Sequence, residues 1–257
     1  MNGEIYFEEM GVGRPVLLLH CLPGRASHFL PLATELARDH RVLMADNPGY
    51  GRSAALPAPY SLELANDRIR DALLGRGVTE LAIVGHSLGA WRALGLALSP
   101  ALRVRSVVLL GGLGHLPDEA RAGYLPLADV ARRSLAEAAD AMVPGAFAPG
   151  FLERHPEVER ETRSWVTEAP RDTFVGELEA VARLPDLRPR LGALAAPVVA
   201  RVGSADLFTP PALSQAVVDA VPHGRLELVP DCGHMPLFED RAATIASIAR
   251  ALREARP

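Results

Sequence analysis

The sequence predicts an α/β protein, a mostly parallel sheet of about seven strands flanked by helices, with a small helical lid inserted. Three observations carry this. Short apolar runs recur with room for a helix between them, the pattern of βαβ units and a parallel sheet. Several of the runs are continuous Val, Leu and Ile rather than alternating, as in strands covered on both faces. One long stretch past the middle keeps a helical period and has no strand-like run.

In chain order, the strand candidates are Ile5–Glu9, Val16–His20, Val42–Asp46, Leu81–Gly85, Val104–Leu110, Val198–Val202 and Arg225–Val229. Amphipathic helices lie between them. Ser27–Arg38 puts Phe29, Leu32, Ala33 and Leu36 on one side, and Leu62–Leu74 does the same with Leu62, Ile69 and Leu73. Ser87–Leu98 is rich in Ala, Leu and Gly, which predicts a buried helix, and Pro211–Val221 and Asp240–Arg253 close the chain. The strandless stretch from Gly111 to about Pro189 is rich in proline and charge. Loops this long inside a domain usually fold on their own or serve function. It reads as a mostly helical lid between the sixth and seventh strands. The expected division is a core of residues 1–111 and 190–257 and a lid subdomain of 112–189.

The 257 residues are 49% hydrophobic and 23% charged, a globular composition, and the formal net charge of −4 argues against nucleic acid or an anionic membrane as partner. A chain of this length buries enough apolar surface to need no disulfide or metal staple. Its two cysteines, Cys21 and Cys232, have no metal-ligand or redox spacing. The N-terminus Met1-Asn2-Gly3-Glu4-Ile5-Tyr6 has neither the basic region nor the apolar run of a signal peptide. No apolar run reaches membrane-spanning length. The expected location is the cytoplasm.

The chemistry concentrates at Leu81-Ala82-Ile83-Val84-Gly85-His86-Ser87-Leu88-Gly89-Ala90. An apolar strand runs into Gly-x-Ser-x-Gly and then into a helix, the context of a nucleophile elbow centred on Ser87. A serine hydroxyl is barely ionised at neutral pH and needs a general base. His234, in Pro230-Asp231-Cys232-Gly233-His234-Met235-Pro236, follows the last strand at the same sheet edge. His20 ends a strand and is expected to hydrogen-bond loop backbone, while His86 should point away from the serine hydroxyl. His28, His40, His115, His155 and His223 read as surface or packing residues. The base needs an acid to fix its tautomer. Asp206, just past the penultimate strand, supplies one, whereas the alternative position after the preceding strand holds Gly111 and Gly112. Oxyanion donors are expected from the backbone N–H of Leu88 and, in His20-Cys21-Leu22-Pro23-Gly24, from that of Leu22, because Pro23 has no N–H.

These motifs identify the chain as similar, over essentially its full length, to the α/β-hydrolase fold family, in its serine esterase, lactonase and carbon–carbon hydrolase branch. The order Ser87, Asp206, His234 is the family's order. His20-Cys21-Leu22-Pro23-Gly24 resembles the His-Gly-x-Pro-Gly oxyanion loop, with Cys21 where glycine is usual. Asp46-Asn47-Pro48-Gly49-Tyr50-Gly51-Arg52-Ser53 matches the turn after the next strand. Ala90 stands where many relatives have a second glycine, and the relatives' first strand is missing. The lid segment Phe147-Ala148-Pro149-Gly150-Phe151-Leu152, with Trp165, Phe174 and Asp186-Leu187-Arg188-Pro189, is similar to those of 3-oxoadipate enol-lactonase-like hydrolases.

The resemblance implies a carboxylic-ester hydrolase, a carboxylesterase or lactonase. It would cleave a small-molecule ester or lactone through an acyl-enzyme, with no cofactor or metal, as a monomer or homodimer. Cys21, Leu113, Phe147 and Trp165 are the candidate substrate-binding residues, with Phe151 and Phe174 beside them. Arg25, Arg92 and Arg183 are candidates to meet a substrate carboxylate, or else are surface residues. Cys21 and Cys232, both near the site, raise the question of thiol sensitivity. Dehalogenase and epoxide hydrolase chemistry is disfavoured because those relatives carry aspartate at the nucleophile position. Carbon–carbon hydrolysis or a cofactor-free lyase reaction remains open on the same scaffold, as does a ligand receptor with residual hydrolase activity.

Overall fold

Two apolar clusters, one on each face of a sheet, explain why the strands read as continuous hydrophobic runs. The structure, a computed structural model, describes residues 4–255. Residues 1–3 of the N-terminal segment considered above lie outside them. The strands are β1 (Phe7–Met10), β2 (Arg14–Leu19), β3 (His40–Ala45), β4 (Glu80–His86), β5 (Arg103–Leu110), β6 (Val198–Gly203) and β7 (Gly224–Val229). They form a seven-stranded sheet in the order β1-β3-β2-β4-β5-β6-β7. Only β1 is antiparallel, pairing with β3 at the edge; the other pairs are parallel. Each expected strand is present, with ends moved by one or two residues.

Successive strand residues point to opposite faces. Leu17, Leu19, Ile83, Val107 and Leu109 therefore join one cluster, and Val16, Leu18, Val84, Val108 and Leu110 join the other. The first face is covered by α2 (Leu62–Gly75), α3 (Leu88–Ala97) and α11 (Pro211–Ala220), and the second by α1 (Leu30–Leu36) and α13 (Arg241–Glu254). Each fully buried Leu or Val stabilises the fold by about 1.5–3 kcal/mol relative to exposure. In α2 the spacing of Leu62, Ala65, Ile69 and Leu73 lays one stripe on the sheet, and the helix starts where the Ser61 hydroxyl accepts from Leu64 N–H at 3.1 Å.

The helix expected over Ser27–Arg38 is in two parts, a 3₁₀ turn at Ala26–Phe29 followed by α1. Pro31 is the reason. It has no N–H to donate and is tolerated only in a helix's first turn, so the α-helix begins beside it.

Between β5 and β6 the chain forms α4 (Asp118–Ala122), α5 (Tyr124–Arg133), α6 (Leu135–Met142), a 3₁₀ turn at Pro144–Ala146, α7 (Phe151–Arg154), α8 (Pro156–Thr167), α9 (Arg171–Val181) and α10 (Arg188–Leu191). This helical excursion therefore follows the fifth strand of the sheet, not the sixth. The seven candidate strands correspond one to one with β1–β7, so the excursion lies between the fifth and sixth of them as well. Its helices share an apolar cluster built on Ala128, Ala131, Ala139, Phe147, Trp165 and Phe174, which Cys21, Tyr50 and Met235 continue into the core. Leu184, Leu187 and Leu191 pack in the sheet's own cluster. α9 is also tied down electrostatically. Glu177, 1% exposed, pairs with fully buried Arg92 of α3 at 2.6 Å and accepts from Tyr50 Oη at 2.7 Å. Removing one partner of such a pair typically costs about 3–5 kcal/mol. The remaining short helix, α12 (Pro236–Glu239), follows β7 and its loop.

Candidate active site

The loops that leave the carboxyl ends of β2, β4, β6 and β7 meet at one edge of the sheet, where open α/β sheets place ligands. They carry Leu22, Ser87, Asp206 and His234 respectively. Ser87 stands alone between β4 and α3 at φ 56°, ψ −118°. For a residue with a Cβ that backbone costs about 1–3 kcal/mol, and it persists only when its surroundings hold it. They do. Ser87 N–H donates to Leu110 O at 2.8 Å, and Ala90 N–H donates back to Ser87 O at 2.8 Å. A Cβ on Gly85 would lie 2.1 Å from Gly89 O, and one on Gly89 would lie 2.1 Å from Leu19 O, so both positions exclude side chains. Leu88 opens α3, and its N–H, like that of Leu22, makes no hydrogen bond among the described residues. Leu22 lines the cavity, and Leu88 follows Ser87 without itself lining it.

Asp206 and His234 are in contact. His234 Nδ1 lies 2.8 Å from Asp206 Oδ2 and 3.0 Å from Oδ1. A carboxylate beside Nδ1 holds the proton there and leaves Nε2 as the basic nitrogen. Asp206 also accepts from Phe208 N at 3.0 Å, Thr209 N at 2.8 Å and Thr209 Oγ1 at 2.8 Å. Burial alone would raise this carboxyl, but His234 and the Thr209 donors outweigh it and hold it below the ordinary aspartate range. Ser87 and His234 line the same cavity. The Ser87 hydroxyl makes no hydrogen bond among the described residues, and catalytic hydrogen bonds commonly tighten only around a bound substrate.

The backbone around His234 is fastened on three sides. Its N–H donates to Ala146 O at 2.8 Å. Its carbonyl accepts from His86 Nε2 at 2.7 Å. The flanking amides of Gly233 and Met235 donate to the Glu239 carboxylate at 2.9 and 3.1 Å, and Ala148 N–H joins them at 2.8 Å. Glu239 thus binds the base's loop to the helical excursion. Thr209 and Glu239 are absent from the sequence reading. Their one local signal is spacing: a hydroxyl three residues after Asp206, and a carboxylate five after His234.

The other histidines separate by environment. His20 Nδ1 lies 2.8 Å from Cys21 O and its Nε2 accepts from Asn47 N–H at 3.0 Å, so it shapes the loop bearing Leu22 as expected. His86 stacks on buried His28, with ring centroids 5.1 Å apart. Burial lowers His20 to about 4 and His86 to about 3, and it holds His28 well below the usual value. All three are uncharged at neutral pH. His40, His115, His155 and His223 lie away from the cavity.

The cavity has a volume of about 290 Å³. Cys21, Phe147 and Trp165 line it. Leu113 does not, a correction to the expected set. It is 3% exposed and packs in the sheet's cluster, because the chain turns inward after β5. Phe151 stacks behind Phe147 with centroids 5.4 Å apart, and Phe174 is fully buried. The sequence reading missed Tyr124, Leu127, Met142, Val143 and Phe208, which also line the cavity. Of the arginines, Arg25 pairs with Glu168 at 2.7 Å on the surface and Arg92 with Glu177 inside, and Arg183 is outside the lining. Both thiols are buried, Cys21 pushed up to about 12 by burial and Cys232 pushed up likewise. A buried, protonated thiol is a poor nucleophile.

No group of three or more His, Cys, Asp or Glu side chains is placed to hold a metal among the described residues. No helix there is long and apolar enough to cross a membrane.

Residues 14–241 match the protein family described as alpha/beta hydrolase fold. The chain is 28% identical to an Azorhizobium caulinodans protein that carries the name carbamate hydrolase RutD, over 88% of this chain and 86% of that one. It superposes on a thermophilic esterase from Thermogutta terrifontis with a TM-score of 0.91 and 26% identity, covering 98% and 94% of the two chains. The enol-lactonase from Burkholderia xenovorans LB400 shares the fold with a TM-score of 0.90 at 24% identity, covering 97% and 96%.

Proposed function

The chain belongs to the α/β-hydrolase fold family, and from that premise we propose that it is a serine hydrolase of small carboxylic esters or lactones. Ser87 is the nucleophile, His234 the general base and acid, and Asp206 the residue that orients and stabilises His234. The observation that carries this reading is the His234–Asp206 contact at 2.8 Å, with both His234 and strained Ser87 opening on one cavity.

His234 Nε2 takes the proton of Ser87 Oγ as the oxygen attacks the substrate carbonyl. The oxyanion of the tetrahedral intermediate accepts from the Leu22 and Leu88 amides, and each such donor is worth about 3–4 kcal/mol of transition-state stabilisation. His234 then protonates the departing alkoxide. Water, deprotonated by the same nitrogen, attacks the acyl-enzyme and releases the acid. Every step uses groups of this chain, and residues 112–189 act as the lid that encloses them.

The test is hydrolysis of short p-nitrophenyl esters by the wild type and by Ser87→Ala. The variant is expected to lose turnover by at least about 10³-fold, and undiminished turnover would remove Ser87 from the mechanism. A carbamate is a second substrate class, favoured by the name of the Azorhizobium relative. Its carbonyl is open to the same attack, and competition between an aryl carbamate and an aryl ester distinguishes the two.

A further inference from the structure

Four cavity-lining side chains outside the proposed catalytic pair carry a donor group, and two are already engaged. Cys21 Sγ donates to Pro23 O at 3.4 Å, and Thr162 Oγ1 donates to Val158 O at 2.9 Å. The other two, the Trp165 indole N–H and the Tyr124 hydroxyl at the start of α5, make no hydrogen bond among the described residues, and of these it is the hydroxyl that feels the charge of Asp206 in the proposed triad. Burial pushes that hydroxyl up to about 12, and the Asp206 charge adds to the effect. Tyr124 therefore keeps its proton, and its oxygen lies within electrostatic reach of the Asp206–His234 couple. A half-buried donor facing the cavity loses its access to water when a substrate enters, so the site discriminates by whether the substrate brings an acceptor to it.

Charge is the second half of the observation. The lining holds no Asp, Glu, Lys or Arg among the described residues. Two arginines that the sequence offers as counter-ions are committed elsewhere, Arg92 to Glu177 and Arg25 to Glu168. A carboxylate drawn into this cavity would lose its water and meet no cation, an unfavourable exchange.

Resting on the hydrolase reading above, we propose that the cavity selects uncharged acyl substrates bearing a second acceptor oxygen, such as a keto or alkoxy group, which takes the hydrogen bond of Tyr124. Tyr124 is then a specificity-determining residue, and substrates with a free carboxylate are excluded.

The test uses ethyl butyrate, ethyl 3-oxobutanoate and monoethyl succinate, which are plain, acceptor-bearing and anionic. kcat/KM is measured with the wild type and Tyr124→Phe. Kd for the intact esters is measured by calorimetry on Ser87→Ala and on Ser87→Ala/Tyr124→Phe. The expected result is a preference for the 3-oxo ester over the plain one that Tyr124→Phe reduces about tenfold, in both turnover and binding. Monoethyl succinate should be at least about tenfold poorer than either. An unchanged preference in Tyr124→Phe, or monoethyl succinate handled as well as the neutral esters, overturns the proposal. The binding arm separates the two readings. Selectivity in Kd without Ser87-dependent turnover counts against the hydrolase and for the cavity, and turnover without selectivity does the reverse.

Discussion

The floor and the roof of the cavity are built by different means. The floor is the elbow at Ser87 and the loop at His234. It is fixed by backbone hydrogen bonds and by contacts too close for side chains: Ser87 N–H to Leu110 O, His234 N–H to Ala146 O, Gly85 and Gly89 against carbonyls. The roof is α5, α6 with Val143 just beyond it, and α8, where Leu127, Met142, Val143 and Trp165 meet the cavity mainly by apolar surface and Tyr124 adds its hydroxyl. Backbone geometry tolerates little change, whereas an apolar wall repacks at moderate cost. The chemistry therefore belongs to the floor and the choice of substrate to the roof, and substitutions in the two regions should fail differently.

The largest effect is expected at the floor. Asp206→Asn keeps the shape but removes the charge that holds the Nδ1 proton, and the equivalent change in a serine protease lowers kcat by about 10⁴-fold. Steady-state kinetics on p-nitrophenyl butyrate checks this, and a loss of less than about tenfold would break the assignment of Asp206. Next is Glu239→Gln, which sets an NH₂ group against a backbone N–H in the loop of the base. It should lower stability by about 1.5–3 kcal/mol, seen in denaturant unfolding, with a fall in kcat at little change in KM. His86→Leu deletes one hydrogen bond to the His234 carbonyl. A neutral bond of this kind is worth about 1 kcal/mol, so kcat should drop about fivefold, and His86→Gln, which retains a donor, should recover part of it. The smallest effect on the chemical step belongs to the roof. Trp165→Ala should change KM and acyl preference several-fold while kcat on the best ester moves by less than about threefold. A kcat collapse in Trp165→Ala would erase the distinction between floor and roof.

The same division decides what was legible in the sequence. Each strand announced itself because both faces are covered and the runs are apolar throughout, as at Leu17-Leu18-Leu19. The elbow was legible because its constraints are local: the glycines flanking Ser87 answer clashes within four residues or with the neighbouring strand. Asp206 and His234 were candidates from position alone, after the last two strands, and the fold brings them into contact. Leu113 fails as a pocket residue because a hydrophobic residue after a strand reads the same whether it faces a cavity or a core. Tyr124 is the converse, a tyrosine on a helix whose hydroxyl gains meaning only from what it fails to touch. Thr209 and Glu239 act through backbone groups, which carry no sequence signature of their own.

The central claim is that Ser87 is the nucleophile. It is tested most directly by labelling the intact protein with a fluorophosphonate and mapping the adduct by mass spectrometry. A single adduct on the peptide containing Gly85-His86-Ser87-Leu88-Gly89, absent from Ser87→Ala, is the expected result. An adduct on any other residue, or a wild type that resists the label while hydrolysing esters, would contradict it.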